Sequence, residues 1–153
     1  GILARAAGGR GMVGGQVVDV EMTGKSLNKE QLDFIYRLKT GALLEASFMV
    51  GAALAGVSDD MIRVLEETGK NIGYAFQIQD DILDITSTTQ ELGKPVHSDE
   101  KNEKNTYVTV YGMEQAKEAV EAYSEKALTF LEQLPVQSAF LNTLVYALIS
   151  RKK

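Results

Sequence analysis

The residues best equipped for chemistry lie in Phe76-Gln77-Ile78-Gln79-Asp80-Asp81-Ile82-Leu83-Asp84. At helical spacing Gln77, Asp80 and Asp84 share one face with Asp81 beside them, while Phe76, Ile82 and Leu83 supply apolar neighbours for packing. Three carboxylates crowded together repel one another. Near a helix C-terminus each is also disfavoured by the negative pole of the macrodipole, by roughly 0.3–1 kcal/mol. A positive partner is therefore expected. Clustered oxygen ligands suit a hard cation such as Mg2+, usually held by one or two carboxylates while water and substrate phosphate fill the other octahedral positions. The plainer reading is a solvated acidic helix end. The flanking Phe76-Gln77 and the basic loop that follows favour a metal–diphosphate site.

Other residues could meet the same anion. Lys39 and Thr40, at an expected break between two helices, can reach a phosphate as point charge and hydroxyl donor, although the tripeptide Lys39-Thr40-Gly41 alone reads as a surface lysine before a new helix. Ser87 to Asn105 is the one long polar connection, and loops of this length in a compact domain are usually functional or disordered. It carries Gly93-Lys94-Pro95 and then Asp99, Glu100, Lys101, Glu103 and Lys104. Beside an acidic metal site, Lys94 and Lys104 are expected to clamp an anionic substrate, with Lys101 and Glu103 solvated. Gln16 and Asp19, three apart, share a helix face in a stretch with glycines at 8, 9, 11, 14 and 15, which reads equally well as a tight helix crossing.

These residues need helices to position them. Apolar spacing makes Ile2 to Met22 one glycine-rich helical element, although each glycine weakens an isolated helix by about 1 kcal/mol. Asn28 with Gln31 three residues later is an N-cap signature for a short helix ending at Lys39-Thr40-Gly41. Leu43 to Ala55 is apolar on nearly all sides, which predicts burial in the centre of a bundle. Ser58 caps a long helix to about Ile85, with Asp59 and Asp60 at its favourable positive pole. Thr106 to Tyr111 has strand-like composition, yet its position and brevity predict a short helix. Glu114 to Leu134, ended by Pro135, and a last helix capped by Ser138 read as scaffold, followed by the basic tail Arg151-Lys152-Lys153.

With 153 residues, 44% of them hydrophobic, and no composition shift, the chain reads as one all-α unit over 1–153. A net charge of −5 and an isoelectric point near 4.9 give no basic field for nucleic acid. The absence of cysteine and the lone His97 exclude the usual zinc sites and a cysteine nucleophile, and fit a reducing, cytoplasmic setting. No secretory leader stands at the start, and the run from Gly41 to Val57, interrupted by Glu45 and Ser47, is short for a bilayer span. Gly1-Ile2-Leu3-Ala4 reads as the interior of a helix, as though the chain begins partway through a larger protein.

Taken in order, Gly14-Gly15-Gln16-Val17-Val18-Asp19, Lys39-Thr40-Gly41, Phe76 to Asp84, and Gly93-Lys94 through Asp99 to Lys104-Asn105-Thr106 resemble the C-terminal half of the trans-isoprenyl diphosphate synthases, the polyprenyl synthase family. The resemblance covers essentially the whole chain. It implies the C-terminal portion of the isoprenoid synthase helical bundle. It also implies a prenyltransferase that joins an allylic diphosphate to isopentenyl diphosphate head to tail, with Mg2+, or Mn2+ in its place. Asp80, supported by Asp81 and Asp84, would hold the metal against the allylic diphosphate. Lys39 and Lys94 would bind the same diphosphate, Thr40 and Gln77 would line the place where the allylic cation develops, Gln16 and Asp19 would face the cavity, and Asp99 and Lys104 would organise the closing loop. His97 departs from the glycine that many members carry there. The family's first aspartate-rich motif, its isopentenyl diphosphate site and its chain-length determinants belong to an N-terminal half whose motifs do not occur in these 153 residues. The chain then holds one wall of an active site, is inactive alone, and is completed by that half in a homodimeric enzyme. A terpene cyclase on the same architecture, or a non-catalytic subunit of a heteromeric synthase, are the competing readings.

Overall fold

The computed structural model describes residues 1–87 and 105–149, and every regular element among them is a helix. These are α1 (Ile2–Ala7), α2 (Met12–Glu21), α3 (Lys29–Tyr36), a π-helical segment (Arg37–Gly41), α4 (Ala42–Leu54), α5 (Asp59–Thr86), α6 (Tyr107–Tyr111), α7 (Met113–Glu132) and α8 (Ala139–Ile149). No described helix is long and apolar enough to cross a membrane.

The helix starts follow local chemistry. Asn28 accepts from the Gln31 N–H at 2.9 Å while Gln31 accepts from the Asn28 N–H at 3.0 Å, satisfying two donors at the N-terminus of α3. Ser58 accepts from Met61 N–H at 3.4 Å to open α5, and Ser138 does the same for α8 from Leu141 at 3.3 Å. Thr106 and Thr109 form a reciprocal capping pair, so the strand-like Thr106 to Tyr111 is helical, as its position predicts.

Three expectations are corrected. The glycine-rich start is two helices: Gly8 is extended (φ −76°, ψ −170°) and caps α1, and α2 begins after Gly11. Consecutive glycines make that stretch the cheapest place for the backbone to turn. Secondly, Lys39-Thr40-Gly41 is no break: Gly41 keeps helical angles (φ −58°, ψ −44°), and the chain runs from α3 through the π-helical segment into α4. Finally, α4 is covered on one side only. Its buried residues are the small Ala42, Ala46 and Ala52, whereas Leu54 is 85% exposed. Phe48, Gly51 and Ala52 line an apolar groove of about 360 Å³ together with Leu65, Leu141 and Leu144.

Helix α5 is the axis, with α4 and α7 packed along it. One apolar cluster joins Leu32, Ile35 and Tyr36 of α3 to Ile78 and Ile82 of α5 and Ala116 of α7. A second joins Ile72 and Ala75 to Ala127, Leu131 and Val145. Between them Tyr74 and Tyr123 stack at 4.9 Å, and Tyr74 Oη donates to the Asp33 carbonyl at 3.4 Å. Burial first, then the Asp33 carboxylate, push the Tyr74 phenol up to about 12 from 10.0. The native chain thus keeps a proton that the unfolded chain releases first, so this contribution is intact below pH 10 and is lost as pH climbs towards 12. Denaturant midpoints measured at about pH 9 and about pH 11 should fall for the wild type and fall less steeply for Tyr74→Phe. Equal slopes would show that Tyr74 has no part in the alkaline loss.

Candidate functional site

Lys39 and Thr40 are presented by the π-helical segment, whose i→i+5 bonding widens one turn and whose kind recurs at functional sites. Two glycines let helices close on it from either side. A Cβ on Gly15 would lie 2.4 Å from Lys39 N and 2.8 Å from Leu38 Cβ, so α2 rests directly on the segment's backbone. A Cβ on Gly73 would lie 2.8 Å from Gly41 Cα, so α5 does the same from the opposite side. The Gly-Gly pair ahead of Gln16 therefore serves backbone contact.

That contact sets the polar groups. Lys39 Nζ pairs with Asp19 Oδ2 at 2.7 Å, the side chains being 29% and 16% exposed, so solvent weakens the pair to about 0–1 kcal/mol of net stability. Thr40 Oγ1 donates to Gln77 Oε1 at 2.8 Å. Gln77 lies three residues before Asp80 and seven before Asp84 in the uninterrupted α5, so the three project on one face. Asp80 is half-buried, whereas Asp84 is 2% and Asp81 3% exposed. Gln16 is exposed on the surface of α2. Lys94, Asp99 and Lys104, with His97 and Lys101 and Glu103, lie outside the described residues.

Asp81, expected to support the metal, is met instead by two residues without an expected role, Tyr36 and Tyr107. Asp81 Oδ2 accepts from Tyr36 Oη, and the Tyr107 N–H reaches both, at 2.7 Å to the carboxylate and 2.8 Å to the phenol oxygen. Tyr36 and Asp81 are 45 residues apart, and the sequence marked Tyr36 only as part of a buried helix side. A buried aromatic hydroxyl near Lys39 was the available signal. Nearby, Asn105 Nδ2 donates to the Lys25 carbonyl at 2.5 Å and secures the approach to α6.

The donors suit a hard divalent cation by chemistry, since Asp80 and Asp84 offer carboxylate oxygens from one helix face. Among the described residues no group of three or more His, Cys, Asp or Glu is close enough to enclose an ion.

Residues 3–135 match the family model described as polyprenyl synthetase. A farnesyl diphosphate synthase of Geobacillus stearothermophilus is 42% identical over 139 residues, which cover 91% of this chain and 47% of that protein. A geranylgeranyl diphosphate synthase of Cyanophora paradoxa is 48% identical over 119 residues, covering 76% and 39%. A geranyltransferase from Helicobacter pylori, solved in complex with magnesium and isoprenyl diphosphate, has a TM-score of 0.82 and 33% identity over 97% of this chain and 49% of that one. The chain thus spans about half the length of the relatives it matches.

Proposed function

Since this chain belongs to the polyprenyl synthetase family, we propose that it forms the diphosphate-binding wall of a prenyltransferase active site. In the complete enzyme an allylic diphosphate is joined head to tail to isopentenyl diphosphate. The allylic C–O bond breaks with its electron pair leaving on diphosphate, the isopentenyl double bond attacks the resulting carbocation, and a proton is lost to the released diphosphate. No side-chain nucleophile is required, in keeping with a chain that has no cysteine.

Lys39, with Lys94 and Lys104, holds the diphosphate and offsets the charge that builds on it. Asp80 is the leading Mg2+ ligand, with Asp84 and Asp99 in support, while Asp81 is engaged by Tyr36 and Tyr107. When bound, the ion neutralises developing charge on the leaving group and fixes its orientation. Thr40 and Gln77 present neutral oxygens toward the allylic carbon, where a cation is favoured. Asp19 holds Lys39 in place before substrate arrives, and Gln16 is exposed on the same helix. The carrying observation is the Thr40–Gln77 hydrogen bond at 2.8 Å, which joins the lysine-bearing segment to the helix one turn before Asp80. The homodimeric assembly and cytoplasmic location of the complete enzyme belong to the same proposal, the second supported by the missing cysteines.

Calorimetric titration of the chain with dimethylallyl diphosphate tests this reading. Binding should be at least about tenfold tighter with Mg2+ than with chelator, a difference of about 1.4 kcal/mol. Equal affinity in the two conditions, or no binding in either, would overturn it.

A further inference from the structure

The Tyr36–Asp81 and Thr40–Gln77 contacts have a common geometry. Tyr36 and Thr40 are four residues apart, and so are Gln77 and Asp81, with the two chain segments running in opposite directions. The contacts are therefore two rungs between one pair of helical segments. Lys39 lies between the rungs on one side and Asp80 on the other. We propose that Tyr36 is a positioning residue which, by hydrogen bonding to Asp81, holds Lys39 opposite Asp80. This rests on the diphosphate-site reading above and deepens it.

Burial favours an anchoring role for Asp81. The carboxylate is 3% exposed and Tyr36 6%, and one carboxylate oxygen already accepts from the phenol and from the Tyr107 N–H. A buried carboxylate is costly unless its lone pairs are satisfied. These two neutral donors meet part of that need. The neighbouring Asp80 is half-buried and follows Gln77 on the face that Thr40 touches. The Tyr36 ring is packed among Leu32, Ile35, Ile78, Ile82 and Ala116, so its hydroxyl has little freedom to move independently of α3. Because Tyr36 directly precedes the π-helical segment, the first rung fixes where that segment starts and the second holds it one residue before its end. The Tyr107 amide adds the first residue of α6 to the same knot.

The test uses inorganic pyrophosphate with Mg2+ as the probe and compares wild type, Tyr36→Phe, Asp81→Leu and the double variant. Tyr36→Phe keeps the packed ring and removes the hydroxyl, and should weaken Mg2+-dependent pyrophosphate binding about tenfold. In the Asp81→Leu background the same substitution should change affinity less than about twofold, because the group through which it acts has gone. Unchanged affinity in Tyr36→Phe, or an undiminished effect in the Asp81→Leu background, would overturn the proposal, since a residue serving only the core would act independently of Asp81. Amide hydrogen exchange at Tyr107 gives a reading that needs no ligand. It should speed up in Tyr36→Phe, and an unchanged rate would overturn the proposal. Absence of pyrophosphate binding by wild type would sink the diphosphate site itself, and faster exchange at Tyr107 would then still support the tie.

Discussion

Asp80→Ala should lower Mg2+-dependent affinity for an allylic diphosphate by about 100-fold or more while leaving the helical circular dichroism spectrum unchanged. Loss of a residue that merely orients a metal ligand typically costs 10–100-fold, so removal of the leading ligand sets a larger expectation. The fold should survive, because Asp80 is half-buried near the C-terminal end of α5 while the apolar residues that hold this helix, Ile78 and Ile82, flank it untouched. Calorimetry with and without Mg2+ measures the affinity, and a thermal melt separates binding from folding. A loss smaller than about threefold would move the leading ligand role to another carboxylate.

Gly15→Ala has the larger structural effect. The added methyl would stand 2.4 Å from a backbone nitrogen and 2.8 Å from the Leu38 Cβ, and neither is the free end of a flexible side chain. Helix α2 must lift off the π-helical segment. Overpacking usually costs 1–3 kcal/mol, and contact with backbone places this substitution at about 3 kcal/mol. As α2 moves away Asp19 leaves Lys39, so the variant should lose stability and diphosphate affinity together. Urea unfolding gives the first quantity and calorimetry the second. A stability change below about 0.5 kcal/mol would mean that α2 does not rest on Lys39 as described.

Much of the helical frame was legible because caps are local. Asn28 with Gln31, and Ser58 with Asp59 and Asp60, announce α3 and α5 within a few residues of where those helices begin. The all-helical architecture follows from that periodicity. The π-helical segment was not legible: glycine before an apolar run reads as a helix stop, and only the approach of Gly73 to Gly41 explains why the residue there must be small. The open side of α4 was equally hidden, since composition shows which faces are apolar and not which have neighbours. Within the site, Lys39, Thr40, Gln77 and Asp19 were singled out by type and do meet in pairs, as Lys39 with Asp19 and Thr40 with Gln77. Gln16 faces outward. The Tyr36–Asp81 contact escaped notice because nothing short of the fold brings together residues separated by 45 positions.

The wide turn at Arg37–Gly41 limits how this chain could be edited. A π-turn is what an α-helix becomes when one residue too many is accommodated without breaking it. Deleting a residue there would let the backbone relax to ordinary α-helix, with α3 and α4 keeping their relative phase. The change would fall on the segment itself, whose wide turn presents Lys39 to Asp19 and Thr40 to Gln77. Point substitutions can adjust this site, whereas loss of one of those five residues would leave the flanking helices in phase and remove the wide turn that carries the lysine.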